Sequence, residues 1–245
     1  MNPADNLIER FAELGPWIYQ FEIDGQTYGG GISAVGDERV ERFFDFAPNP
    51  KSILELGSLE GAQSFILAQH PWVEHVVALE GREANLRKAR FVQGLLQIRN
   101  VEFVQANLED ADLTGFGKFD AIFCCGLLYH LPAPWKLLEQ LPEVAPVLFI
   151  WTQYAAENEA RDLGNGLRGK THIEGGAAEP LSGMSATATW LTLDSLQILL
   201  ARSGYTKIEI IHDDPAHANG PAVTIGATMT QSAALFHGCT ASFDD

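Results

Sequence analysis

Short apolar runs alternate with amphipathic stretches along most of this chain. Ile53, Leu54 and Leu56 read as a buried strand over 53–56, and the period turns helical over 61–69 through Phe65, Ile66 and Leu67. Val76, Val77, Ala78 and Leu79 mark a second strand over 75–79, followed by a helix over 82–97. Strands over 101–105 and 119–124, a helix over 133–141 and a strand over 147–151 continue the alternation. A helix over 193–203, with Thr192 as its N-cap, precedes two last strands over 205–211 and 222–229. This order predicts an α/β fold, a doubly wound and mostly parallel seven-stranded sheet whose last strand is antiparallel.

Two segments stand outside that alternation. In residues 1–50, Leu7, Ile8, Phe11 and Leu14 have helical spacing and stop at Gly15-Pro16. Trp17, Tyr19, Phe21 and Ile23 alternate as a strand does, Gly29 to Gly31 read as a flexible loop, and Asp37 begins an amphipathic helix through Val40, Phe43 and Phe44. The segment is expected to act as a lid or to cap the sheet edge. Residues 152–190 are rich in glycine and carry no clear period, so an irregular insertion on the substrate side is expected there. The domain proper then runs over 51–231, and 232–245 read as a loose tail.

The turn after the first strand carries candidate chemistry. Glu55-Leu56-Gly57-Ser58-Leu59-Glu60-Gly61 leads from a strand into a helix, with glycines where the backbone must turn sharply or approach a ligand. The glycines are four apart, which departs from the dinucleotide fingerprint G-x-G-x-x-G. Glu80 closes the second strand nineteen residues after Gly61 and is placed to accept hydrogen bonds from both hydroxyls of a ribose. The third strand ends in Asn107-Leu108-Glu109-Asp110 and the fourth in Cys125-Gly126.

With these stretches in register, the chain resembles the class I S-adenosylmethionine-dependent methyltransferases over residues 50–230. The matching stretches are ELGSLEG (55–61), VVALEG (76–81), VEFVQANLED (101–110) and FDAIFCCGLLYHL (119–131). The resemblance implies a Rossmann-like sheet and S-adenosyl-L-methionine as cofactor. It implies cofactor contacts from Glu55, Gly57, Ser58, Gly61, Glu80, Gly81, Asn107, Leu108, Cys125 and Gly126. Leu59 stands where many members carry glycine, and Asn107 where aspartate is commoner. The amide of Asn107 retains a carbonyl oxygen for an adenine amino group.

Charge narrows the acceptor. A net charge of −16 opposes the basic field that binds nucleic acid, and the Arg82, Arg87, Lys88 and Arg90 run reads as a solvated helix face. No secretion signal or membrane-length apolar run is seen, and an odd set of three cysteines suits a reducing setting, so a cytoplasmic protein is expected. The expected partner is a small-molecule substrate; nucleic acid and membrane are not expected, and a homodimer is compatible with these features.

Methyl transfer from a sulfonium asks the protein for positioning, plus a base where the nucleophile must lose a proton. His130, just beyond the fourth strand, is the leading catalytic candidate, and His172, with Glu174 nearby, is the second. Tyr28, Tyr129, Tyr154 and Trp190 are candidate substrate-binding residues. His212-Asp213-Asp214 could suggest a metal, but the resemblance places metal ligands after the fourth and fifth strands. Those positions hold Cys125-Gly126 and Trp151-Thr152, so no catalytic metal is expected. The expected function is methyl transfer to an oxygen nucleophile of a metabolite or natural-product intermediate. Two alternatives stay open. The segment GLLYHLPAPWKLL (126–138) is similar to its counterpart in the tRNA wobble-uridine carboxymethyl-transferring enzymes. A cofactor-binding scaffold without catalysis is the other.

Overall fold

The apolar runs assemble into one twisted sheet in the computed structural model, which describes residues 3–230. The N-terminal segment forms α1 (Pro3–Glu13), a hairpin of β1 (Gln20–Ile23) and β2 (Gln26–Gly29), and α2 (Glu38–Phe46). The alternating core follows as β3 (Ser52–Leu56), α3 (Ala62–Gln69), β4 (His75–Glu80), α4 (Glu83–Leu96), β5 (Val101–Gln105) and β6 (Ala121–Cys125). Next come α5 (Pro134–Leu138), α6 (Leu141–Val144) and β7 (Val147–Gln153). The chain continues through β8 (Arg161–Gly164), β9 (Leu167–Ile173), β10 (Thr187–Leu191), α7 (Leu193–Ser203), β11 (Lys207–Asp214) and β12 (Ala222–Thr228).

The sheet order is β11-β12-β7-β6-β3-β4-β5. Pairs among β3, β4, β5, β6 and β7 are parallel, and β12 runs antiparallel to both β7 and β11. Alternation within each strand sends side chains to two cores. Leu54, Val77, Leu79, Ile122, Cys124, Leu148 and Ile150 face the side covered by α5 to α7. Ile53, Val76, Ala78, Phe123, Cys125 and Phe149 face the side covered by α2 to α4. Asp37 caps α2 through a bond from Arg39 N (3.0 Å), and Phe43 packs edge-on against Phe123 and Phe149.

Three expectations change. The helix expected over 133–141 breaks into α5 and α6, with Pro142 within the first turn of the second. Gly29 pairs with Gln20 in the N-terminal hairpin rather than opening a flexible loop. Part of the insertion over 152–190 forms an antiparallel sheet of β10-β9-β8, turning through Gly164-Asn165-Gly166. β8 has four residues and ends at Gly164, and Gly169 interrupts β9, which hides their period in the sequence. Cys239 and the tail over 232–245 lie outside the described residues. Among those described, no helix is long and apolar enough to cross a membrane.

Candidate active site

Strand order reverses between β3 and β6, and the crevice beyond the C-terminal ends of such strands is where open α/β sheets take ligands. A cleft of about 1030 Å³ opens there, at the upper end of the range for small-molecule sites. Gly57 N and Ser58 N both donate to the Leu79 carbonyl, at 2.9 and 3.0 Å, which folds the turn tightly against β4. Gly57 has φ of 82°, and a Cβ there would press on Leu127 at 3.4 Å. Leu59 also has positive φ (51°), held by its N–H donating to Glu80 Oε2 at 3.0 Å.

Glu80 faces the cleft while its carboxylate braces the surrounding backbone. Besides Leu59 N, it accepts from Arg82 N (2.8 Å) and Asn85 Nδ2 (3.2 Å). Burial raises its pKa, and these donors offset part of that rise. Ser58, Gly81, Asn107, Leu108, Cys125 and Gly126 line the same cleft, and Met184 lies against Gly81.

Two residues expected at the cofactor stand behind the cradle instead. Gly61 has φ of 80°, and its missing Cβ leaves room for the Phe103 ring, whose Cζ would lie 2.7 Å away. It fixes how α3 leaves the turn. Glu55 is buried, accepts from Ser64 Oγ, and has a pKa raised to about 7 by burial. Its Oε1 has no partner, and neither does the buried Ser58 Oγ at the cleft wall. A left-handed glycine beside an unpaired hydroxyl, facing Glu80 and Asn107, suits the amino-acid and ribose parts of S-adenosylmethionine.

On the other side of β6, a short 3₁₀ turn over Leu128–His130 brings Tyr129 and His130 into the cleft. His130 Nδ1 lies 3.1 Å from both carboxylate oxygens of Glu174. Burial pushes the His130 pKa down, and the Glu174 charge opposes that. Burial would raise the Glu174 pKa, yet bonds from Ser182 Oγ, Gly183 N and His130 hold it below the ordinary carboxylate value. His172 also reaches the cleft, stacked on Trp190 with ring centres 4.6 Å apart.

Tyr129 stands between two tryptophans, edge-on to Trp151 at 6.0 Å and to Trp190 at 6.1 Å. Burial lifts its phenol to about 12. Trp190 is buried at the cleft wall with Nε1 unpartnered. Gln153, His212, Asp214, His217 and Asn219 add hydrogen-bonding groups around this aromatic wall. Tyr28 and Tyr154 are not brought to the cleft. Hairpin pairing turns Tyr28 inward to stack on Phe11 at 5.1 Å, and Tyr154 Oη donates to Asp213 Oδ1 at 2.9 Å. Among the described residues no cluster of three His, Cys, Asp or Glu side chains could hold a metal ion. Burial raises both Cys124 and Cys125 thiols well out of the nucleophilic range, Cys124 to about 12.

Several cleft residues escape sequence reasoning. Tyr19 and Arg39 reach the cleft from the N-terminal segment, Arg39 donating to Asp37 through Nε (2.8 Å) and Nη2 (2.6 Å) and lying over the Trp151 ring. Alternation marks Tyr19 only as one face of a strand, and nothing local distinguishes Arg39 from a solvated helix charge. Arg82, read as part of a solvated face, instead binds the carbonyls of a loop that lines the cleft beside it.

The family model described as a methyltransferase domain matches residues 49–160. The N-terminal domain of EvdMO1, solved in the presence of SAH and D-fucose, is 32% identical, with a TM-score of 0.82 over 94% of this chain and 98% of that one. Against the crystal structure of EvdMO1 the identity is 31% and the TM-score 0.71, over 92% of this chain and 47% of that chain. A methyltransferase from Mesorhizobium loti, 15% identical, shares the fold at a TM-score of 0.57 over 80% of this chain and 98% of that one. No curated protein sequence matches the chain. The Gly57 turn, the Glu80 carboxylate, the matched domain and the extensive likeness to EvdMO1 place this chain in the class I S-adenosylmethionine-dependent methyltransferases.

Proposed function

We propose that this protein methylates a hydroxyl oxygen of a sugar or sugar-bearing small molecule. The observation that carries this reading is the pairing of His130 Nδ1 with Glu174 at the wall of the cleft. Glu174 is ionised near neutral pH and can only accept, so Nδ1 carries the ring proton and Nε2 keeps its lone pair. A neutral imidazole with Nε2 free is equipped to take the proton from an alcohol. The likeness to a domain solved with D-fucose supports a sugar as the acceptor. So does the wall itself, where Tyr129, Trp151 and Trp190 offer ring faces for C–H surfaces and Gln153 and Asn219 offer bonds for hydroxyls.

Gly57, Ser58, Glu80, Gly81, Asn107 and Leu108 would hold S-adenosylmethionine. That cofactor supplies a methyl group already activated on a sulfonium. The chain's own work is to orient the acceptor against the aromatic wall, exclude water and remove one proton through His130. His172 serves as part of the wall, since its ring is stacked on Trp190.

The test is methyl transfer from labelled S-adenosylmethionine to D-fucose and its methyl glycosides, with a tRNA transcript and simple carboxylic acids alongside. An O-methyl sugar identified by NMR is expected. Label passing to tRNA or to a carboxylate, with none to any sugar, would overturn the reading.

A further inference from the structure

The segment from Glu174 to Ser185 lies along the cofactor side of the cleft and is tied down at three places. At its start, Glu174 Oε2 accepts from Ser182 Oγ and from Gly183 N (2.8 Å), closing the segment into a loop. At its end, Ser185 N and Oγ donate to Glu109 at 2.8 and 2.6 Å. Between them the chain curls round one guanidinium. Arg82 Nη2 donates to the carbonyls of Ser182 (2.7 Å) and Glu179 (3.0 Å), with those of Gly183 and Gly176 at 3.2 and 3.3 Å, and Nε donates to Ala177 at 3.2 Å.

The only helical structure in this loop is a three-residue 3₁₀ turn, so its carbonyls need partners from elsewhere. Arg82 supplies them from the position two after Glu80, and its own N–H is bonded to Glu80 Oε1. The loop therefore rests on the cofactor-facing turn, and the carboxylate it closes upon is the one touching His130. A rigid bidentate donor fits this use, whereas a lysine would offer a point charge.

We propose that Glu174 is the positioning residue for His130 in the methyl-transfer reaction. Arg82 acts through it, by holding the 175–183 loop in the shape that keeps the carboxylate on Nδ1. The inference rests on His130 as the proton acceptor. The charged and titratable groups facing the imidazole are Glu174 and His172, from β9 and its end, Arg82 from the β4–α4 turn, and Tyr129 from its own turn.

Long-range ¹H–¹⁵N spectra of histidine-labelled protein saturated with S-adenosylhomocysteine test this without an acceptor, His130→Ala assigning the signal. Neutral His130 should be the Nδ1–H tautomer in the wild type and in Glu174→Asp. In Glu174→Gln its titration midpoint should fall by about one unit or more. Arg82→Met should give a mixture of tautomers while Glu174 is still present. An Nε2–H tautomer in the wild type, or an unmoved midpoint in Glu174→Gln, overturns the role of Glu174. An Arg82→Met spectrum identical to wild type overturns that of Arg82. Should Glu174→Gln fail to fold, the wild-type tautomer and Arg82→Met decide. Failure of the base reading shows separately, as His130→Ala transferring methyl at the wild-type rate.

Discussion

Lys88 Nζ lies 2.8 Å from Glu60 Oε1, with both side chains almost wholly out of solvent. Glu60 also accepts from Ile18 N and Tyr19 N, the latter at 2.8 Å, and Lys88 donates to the Pro16 carbonyl. The pair fastens residues 16–19 to the turn that follows β3, which is how Tyr19 comes to line the cleft. A buried pair contributes little net stability over apolar residues, because desolvation offsets the attraction, but breaking one partner leaves a bare buried charge.

Glu60→Ala should therefore destabilise the fold by about 3–5 kcal/mol. Urea unfolding measures this. The Glu60→Leu, Lys88→Met double variant should lose much less than the two single variants added together.

Glu80→Ala should weaken S-adenosylhomocysteine binding by about 10- to 100-fold, or roughly 1.4–2.7 kcal/mol. The variant loses both the expected ribose acceptor and the bonds that hold Leu59 N and Arg82 N. Calorimetric titration reads the change; an unaltered affinity would place the ribose elsewhere.

His130→Ala should lower kcat by about 10²- to 10⁴-fold with cofactor affinity within a few-fold. The imidazole must be neutral to accept a proton, so wild-type activity should fall as pH drops through its midpoint. Burial places that midpoint below the ordinary histidine value, and the acidic limb should vanish in the variant. A pH series of kcat compares the two.

Gly61→Ala should destabilise by about 2–4 kcal/mol, since the added methyl disfavours the left-handed backbone held there and meets the Phe103 ring. Gly57→Ala carries the same left-handed strain, its φ being 82°, but meets only the Leu127 side chain, at 3.4 Å, so it should destabilise less than Gly61→Ala while also weakening cofactor binding. Thermal melts beside calorimetry separate the two effects.

Glu55 gives a pH dependence of stability in the cofactor-free protein. Its folded pKa of about 7 lies above the ordinary value of 4.5, so the folded state holds the proton more tightly. The resulting stability is full below about pH 4.5 and is lost as pH rises through about 7, by a few kcal/mol. Glu55→Gln should flatten that decline, and unfolding curves between pH 5 and 8 would show it.

The order of strands and helices, the Gly57 turn and the Glu80 carboxylate were all legible along the chain. They depend on local pattern: strand side chains alternate, a tight turn needs glycine, and an acidic residue closes the strand beside it. His130 was legible for a related reason, since the end of β6 sets its distance from the cleft within a few residues. The insertion over 152–190 was not, because the residues that β9 and β10 bury, such as Leu167, Ala188, Trp190 and Leu191, follow no sustained alternation of apolar and polar positions. Tyr28 and Tyr154 illustrate the limit from the other side. An aromatic residue beside glycines or a strand end can face a ligand or a core, and only packing against Phe11 and Asp213 settles which. Glu60 with Lys88, Arg39 above Trp151, and Arg82 within its ring of carbonyls are separated in sequence from what they touch. A charged side chain on a helix reads as solvated from its neighbours alone. Its burial, and the partner that makes burial tolerable, exist only once the whole sheet has brought those elements together.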